Sequence, residues 1–374
     1  MKEPYETAMT HDTLFESFDI NGLSLDNRVG LAPMTRTSAT EEGHPTREMA
    51  RYYTSFARGG FPFLVSEGIY TDTAHSQGYP NQPGLATDAQ ADEWEEVVDA
   101  VHEEGSVFFA QLMHAGPQAQ GNRYVDDTVA PSPYQPPGEM AEVYGGSGAY
   151  QTAIELDESG LSEVKTGFVE SAERAAKAGF EGVEIHAANG YLLHAFIDPL
   201  VNERNDKYGG SPEARARFPA EIIAAIQETT PEEFVVGVRT SQTAVTDEER
   251  TWPDEEDTAK AVFESFTNAG ADYIHVTEPE VTEPAFGETG RTLTELADQY
   301  SETVIITNGG LGDPEKARTA LADGADLVTQ ATAALANHDW PNRVRQGDEL
   351  ANLDPSVVFE PDASISAAEI PNDD

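Results

Sequence analysis

The chain has 374 residues, no cysteine, and 68 acidic against 22 basic side chains, a formal net charge of −46. The lack of cysteine excludes disulfides, thiolate metal sites, iron–sulfur clusters and a catalytic thiol. The acidic field repels nucleic acid and anionic lipid, and no apolar run is long enough to span a membrane as a helix. Acids are spread along the whole length, among apolar runs and aromatics that a disordered acidic chain would lack. The composition therefore reads as a folded, cytoplasmic, enzyme-sized protein with a lysine-poor surface suited to molar salt, where counterions screen self-repulsion. An ordinary acidic mesophilic enzyme is the alternative.

In chain order, strands are predicted at 28–34, 61–69, 106–114, 182–186, 234–240, 272–277, 303–308 and 326–330. Helices are predicted between and after them, near 46–59, 88–104, 161–179, 211–229, 254–269, 292–300, 313–323 and 336–347. Asp88, Asp254 and Asp313-Pro314 mark helix starts, and Gly105, Gly179, Gly270 and Gly324 close four helices. Eight strands alternating with eight helices imply an α/β fold, the (β/α)8 TIM barrel. It forms a single domain over 13–350, between tails at 1–12 and 351–374. A doubly wound sheet is the alternative, but no Gly-x-Gly-x-x-Gly follows the first strand. The connection after strand 3, from Ala115 to about Leu161, is long and rich in Pro, Gly and Tyr. Such a loop suits a wall or lid over the barrel mouth.

Active sites of such barrels lie at the C-terminal strand ends. There the sequence places Ala32-Pro33-Met34-Thr35-Arg36, Ser66-Glu67-Gly68, Gln111 to His114, His186 with Asn189 and Tyr191, Arg239-Thr240, His275 with Thr277, Asn308-Gly309-Gly310, and Gln330-Ala331-Thr332. His186 and Asn189 offer two hydrogen-bond donors to one oxygen, and the Tyr191 phenol can give up a proton. That trio suits a carbonyl compound whose neighbouring carbon must be protonated; satisfaction of local backbone groups is the simpler reading. Gly309-Gly310, ahead of a helix start, is either a phosphate cradle or a plain tight turn.

Several segments carry a resemblance: Ala32-Pro-Met-Thr-Arg36, Gly78-Tyr-Pro-Asn-Gln-Pro-Gly84, Gln111-Leu-Met-His-Ala-Gly116, His186-Ala-Ala-Asn-Gly-Tyr-Leu-Leu193, Asn205-Asp-Lys-Tyr-Gly-Gly210, Val236-Gly-Val-Arg239 and Ala336-Asn337. In this order, over roughly 12–348, they resemble the Old Yellow Enzyme family of FMN-dependent ene-reductases. The resemblance implies FMN across the barrel mouth and NADPH or NADH as reductant, acting in the same pocket as an enone or quinone substrate. Pro33, Met34 and Thr35 would hold the flavin edge, Gly68 would pack by the ring, and Gln111 would bond its pyrimidine side. Arg239 would face the N1/O2 edge, where reduced flavin is negative. His186, beside the flavin, and Asn189 would bind the substrate carbonyl, and Tyr191 would protonate the α-carbon. Gly309, Gly310, Ala331 and Thr332 would lie near the FMN phosphate. There the chain departs from the family: Ala331-Thr332 replaces its Gly-Arg pair, and Pro117 replaces another arginine.

Two other functions fit the same fold. A non-redox lyase would need a strand-end lysine or a metal cluster; none of the lysines ends a strand and the histidines do not cluster, so no metal site is expected. A flavin-binding relative with little turnover is motivated by Ala331-Thr332. The partner expected is a small molecule, with no nucleic acid and no membrane, and a homo-oligomer is compatible with the sequence.

Overall fold

Eight parallel strands close on themselves in the computed structural model, which describes residues 12–371. They are β1 (Val29–Leu31), β2 (Phe63–Val65), β3 (Val107–Met113), β4 (Gly182–Asn189), β5 (Val235–Ala244), β6 (Tyr273–Thr277), β7 (Val304–Asn308) and β8 (Leu327–Gln330). β2 pairs with both β1 and β3, which completes the ring. The TIM-barrel expectation holds, and each strand lies within or overlaps its predicted span. The main helices are α1 (Arg47–Arg58), α2 (Asp88–His102), α3 (Glu158–Lys177), α4 (Pro212–Thr229), α5 (Glu255–Asn268), α6 (Leu293–Tyr300), α7 (Pro314–Ala322) and α8 (Trp340–Gln346). Gly105, Gly179, Gly270 and Gly324 all have φ between 85° and 107°, the left-handed backbone that ends a helix without a Cβ penalty. α2 begins at Asp88, an acid in its first turn, behind a capping box formed by Thr87 and Gln90.

Strand alternation sorts side chains into two sets. On β3, Phe108, Ala110 and Leu112 join the large helix-facing core, as do Val183, Ile185 and Ala187 on β4. The opposite row points into the barrel. At its lower end Phe63, Val65, Phe109, Val235, Tyr273, Ile306 and Leu327 form one apolar cluster. Gly30 and Gly237 make room for it, since a Cβ there would sit 2.1 Å from the Phe63 ring and 2.0 Å from the Tyr273 ring. The antiparallel hairpin Phe18–Ile20/Leu23–Leu25, which was not predicted, adds Ile20 and Leu25 to this cluster and plugs that end. Higher in the barrel the same inward rows turn polar, with Gln111, Glu184, His275 and Thr329. The apolar base thus fixes the height at which functional side chains begin.

The structure differs from the sequence reading at three further places. Strands β4 and β5 run to Asn189 and Ala244, beyond their predicted ends. The predicted helix at 336–347 is two pieces, Thr332–Ala336 and α8. The expected tail at 351–374 is packed where described: Val358, Ala363 and Ile370 are buried, and Glu369 pairs with Arg36 at 2.9 Å, both side chains 1% exposed. The other expected tail, 1–12, lies outside the described residues except for Asp12, which accepts a hydrogen bond from Leu14 N and pairs with Arg318. No described helix is long and apolar enough to cross a membrane.

Candidate active site

His186 stands on the inward row of β4, one layer above Glu184. The Ala188 N–H donates to its Nδ1 at 3.3 Å, so the ring proton resides on Nε2. Burial, and then the Arg239 charge, push its pKa down to about 3, which keeps the ring neutral. Asn189, three residues on, has φ 64°. Asparagine tolerates this left-handed backbone better than most residues. Two contacts hold it there: Asn189 N donates to Ser241 Oγ at 2.8 Å, and Gln118 Nε2 donates to Asn189 O at 2.6 Å. Gly190 follows at φ 86°, where a Cβ would lie 2.3 Å from Gln118 Nε2. The turn folds Tyr191 back onto His186, their rings edge to face with centroids 4.9 Å apart. The Tyr191 phenol hydrogen-bonds that of Tyr79. Burial raises its pKa above the usual tyrosine value, while the Tyr79 contact pulls it down.

These residues open onto a cavity of about 600 Å³ at the C-terminal strand ends. Its walls include Pro33, Met34 and Thr35 after β1, Gly68 after β2, Gln111 on β3, Arg239 on β5, and Ala331 with Thr332 after β8. Every expected site residue is thus brought together except Gly309 and Gly310. Those two, at φ 128° and 69°, are packed against the loop after β6. A Cβ on Gly309 would lie 1.6 Å from the Glu278 carbonyl oxygen, and one on Gly310 would lie 2.4 Å from Glu280 Oε2. These close approaches require glycine at both positions, whatever the turn's N–H groups bind. Tyr79, Tyr144, Tyr150 and Phe359 also line the cavity and were not singled out. Tyr144 and Tyr150 belong to the Tyr-rich loop, whose composition was the available signal. Phe359 lies in the segment read as a tail, where no signal marks it.

Two charged side chains support the walls. Arg239 is 5% exposed; its Nη2 donates to Thr277 Oγ1 at 3.0 Å and Asn308 Oδ1 at 2.8 Å. Its Nε is buried without a protein partner. Glu67 accepts from the backbone N–H groups of Arg36 (2.9 Å) and Thr37 (3.1 Å). It thereby fixes the loop that carries Thr35, including Thr37 at φ 42°. Burial pushes the Glu67 pKa up to about 7. The site so built offers neutral donors, a phenol and a guanidinium around one space, a set able to bind an oxygen and protonate a neighbouring atom.

A family model described as the NADH:flavin oxidoreductase / NADH oxidase family matches residues 13–351. A Thermoanaerobacter brockii NADH oxidase is 32% identical over 91% of this chain, which spans only 52% of that longer protein. The 12-oxophytodienoate reductase 7 of Oryza sativa subsp. japonica is 31% identical over 98% of this chain and 96% of its own length. Among solved structures, the Old Yellow Enzyme homologue from Zymomonas mobilis superposes with a TM-score of 0.86 at 28% identity, over 96% of this chain and 98% of that one. Morphinone reductase in complex with tetrahydroNAD does so at 0.81 and 32% identity, over 92% and 93%.

Proposed function

Because the chain belongs to the NADH:flavin oxidoreductase / NADH oxidase family, to which the Old Yellow Enzymes belong, and is an NAD(P)H-dependent FMN oxidoreductase, we propose that it reduces the C=C bond of α,β-unsaturated carbonyl compounds. The residues present fit the cofactor. Arg239, whose buried Nε has no protein partner, lines a cavity large enough for a fused ring system. Pro33, Met34, Thr35, Gly68 and Gln111 would hold the ring. Ala331 and Thr332, at the start of the short helix Thr332–Ala336, would meet the phosphate with backbone N–H groups and a hydroxyl instead of a cation. When bound there, FMN would supply the hydride chemistry that links the nicotinamide to the substrate's β-carbon.

The protein's own residues do the rest. His186 donates from Nε2 and Asn189 from its amide to the carbonyl oxygen, which stabilises the negative charge that develops there as hydride adds. Tyr191 supplies the proton at the α-carbon, and Tyr79 donates to the phenolate oxygen left behind. The apolar base of the barrel keeps water from reaching the site from below. The observation that carries this reading is the His186 tautomer: its accepting nitrogen is already engaged by Ala188 N, so the donor is the one left for the substrate.

The net charge of −46 supports a salt-rich cytoplasm as the setting. The test is spectroscopic and chemical. Protein purified in molar KCl should show flavin absorbance, bleach anaerobically with NADH or NADPH, and recover its colour on adding cyclohexenone with formation of cyclohexanone. Bleaching without reoxidation by any enone would leave an NAD(P)H oxidase or a flavin-binding relative, the reading favoured by Ala331-Thr332.

A further inference from the structure

Glu184 is fully buried inside the barrel, directly below His186, and the mechanism above makes no use of it. Its carboxylate accepts from Gln111 Nε2 at 2.8 Å, from His275 Nδ1 at 2.7 Å and from the Tyr273 hydroxyl at 3.2 Å. The other His275 nitrogen, Nε2, meets Thr329 Oγ1 at 2.9 Å. A neutral His275 satisfies both contacts, with its proton on Nδ1 and Nε2 accepting from the threonine; burial favours that state. Glu184 is therefore an ionised carboxylate held by three neutral donors. The compensating charge is Arg239, one strand over: Gly237 pairs with Glu184 and Arg239 with His186. An uncompensated carboxylate at this depth would be strongly unfavourable. Apolar residues would fill the space more cheaply, so its presence asks for a role.

Resting on the FMN reading above, we infer that Glu184 is a positioning residue with two tasks: it orients the Gln111 amide, and it offsets the Arg239 charge beneath the cofactor site. The first task follows from donor chemistry. A carboxylate only accepts, so it draws the NH2 end of Gln111 downward and leaves the amide oxygen as the end available to a ligand N–H. The second follows from electrostatics. Arg239 alone would stabilise the anionic reduced flavin; a fixed negative charge in the same low-dielectric interior subtracts from that effect and lowers the reduction potential.

Two variants separate the tasks. Glu184→Gln keeps the side-chain length and removes the charge; Glu184→Asp keeps the charge and shortens the reach to Gln111. In E184Q the reduced-to-oxidised flavin ratio at fixed potential should rise by about tenfold or more, a positive shift of about 30 mV for a two-electron couple. In E184D the midpoint should stay near wild type while FMN dissociates about tenfold more readily, read by flavin fluorescence on dilution. An E184Q midpoint equal to or below that of wild type overturns the charge task, and E184D affinity equal to wild type overturns the orienting task. Should E184Q fail to fold, E184D still decides the orienting task, and Glu184→Leu, also uncharged, decides the charge task by the same midpoint criterion. Wild-type protein that binds no FMN under any salt condition would instead remove the cofactor-site reading on which the inference rests.

Discussion

Tyr79 and Tyr191 share a hydrogen bond between their phenols at the cavity wall, both side chains being at most 5% exposed. If Tyr191 gives its proton outward to a substrate, its oxygen must accept from Tyr79. The pair is then polarised in one direction, and Tyr79 is placed to stabilise the phenolate. Tyr191→Phe should leave flavin reduction by NAD(P)H nearly unchanged, since that half-reaction needs no proton from it. It should slow reoxidation by a weakly activated enone by about 10²–10⁴-fold, the usual contribution of a general acid. Tyr79→Phe should slow the same half by less. Stopped-flow measurement of each half decides; equal slowing of both halves in Tyr191→Phe would make it a packing residue.

In the proposed reaction His186 and Asn189 act on one oxygen, so removing either should weaken phenol-type ligands and slow enone reduction. The loss of one such donor amounts to about 2.7–4 kcal/mol of transition-state stabilisation. The pH profile carries a second check. With its pKa depressed to about 3, His186 stays a neutral donor at every pH above about 5. Ligand affinity should therefore show no break near 6.5, where an unperturbed histidine titrates. A break there that vanishes in His186→Ala would mean that the imidazolium binds the ligand.

The barrel was readable in the sequence because its signals are local. Each strand is a short apolar run, and glycines such as Gly179 and Gly270 end helices where left-handed backbone is required. The candidate site stood out because β4 and the turn after it carry three polar residues in six positions, His186, Asn189 and Tyr191, just past an apolar run. What stayed hidden depends on distance. Nothing near Glu369 reveals that its carboxylate meets Arg36, 333 residues away. A segment with that many acids reads as solvated chain. The hairpin at Phe18–Leu25 is two three-residue strands, too short for a period-2 pattern to register. Tyr79 belongs to the Gly78–Gly84 motif, but only the fold brings it to Tyr191. Gly309 carries a second constraint that its sequence does not show: its lack of a Cβ admits the close approach of the Glu278 carbonyl.

The Arg36–Glu369 pair ties the C-terminal segment to the loop bearing Thr35. Arg36 also donates from Nε to the Ala363 carbonyl at 3.1 Å. Glu369→Ala would leave a guanidinium that is 1% exposed without its counter-charge, which typically costs about 3–5 kcal/mol. Thermal unfolding should show a clear fall in midpoint. Replacing both partners with apolar residues, Arg36→Met with Glu369→Leu, should recover much of it. Equal melting of wild type and Glu369→Ala would mean that the segment is not held in place by this pair.

The loops following the eight strands carry six basic residues, Arg36, Arg123, Arg204, Lys207, Arg250 and Arg291. Each is engaged by a carboxylate: Glu369, Glu42, Asp206, Glu221, Asp198 and Glu256 respectively. A reductant with an added 2′-phosphate would thus approach a mouth whose cations are already neutralised and whose net field is negative. NADH should give the higher kcat/KM, and the preference over NADPH should shrink as KCl rises and screens that field. Steady-state rates with both nucleotides across a salt series test this; a preference for NADPH at low salt would contradict it.

Salt should also govern folding. Sixty-eight acidic side chains against 22 basic ones leave most carboxylates without a partner, so folding gathers like charges that the unfolded chain holds apart. In 0.01 M salt the Debye length is about 30 Å, comparable to the barrel itself, and repulsion sums over the whole surface. At 1 M it falls to about 3 Å, and only contacting charges interact. Raising KCl weakens exposed pairs such as Lys177–Asp92, but these contribute little individually. The repulsive sum dominates the balance. The melting temperature should therefore climb steadily from dilute to molar KCl, with FMN released or the chain unfolded at the dilute end. A melting temperature independent of KCl would show that local pairing already offsets the net charge, and the chain would then be an acidic enzyme without dependence on salt.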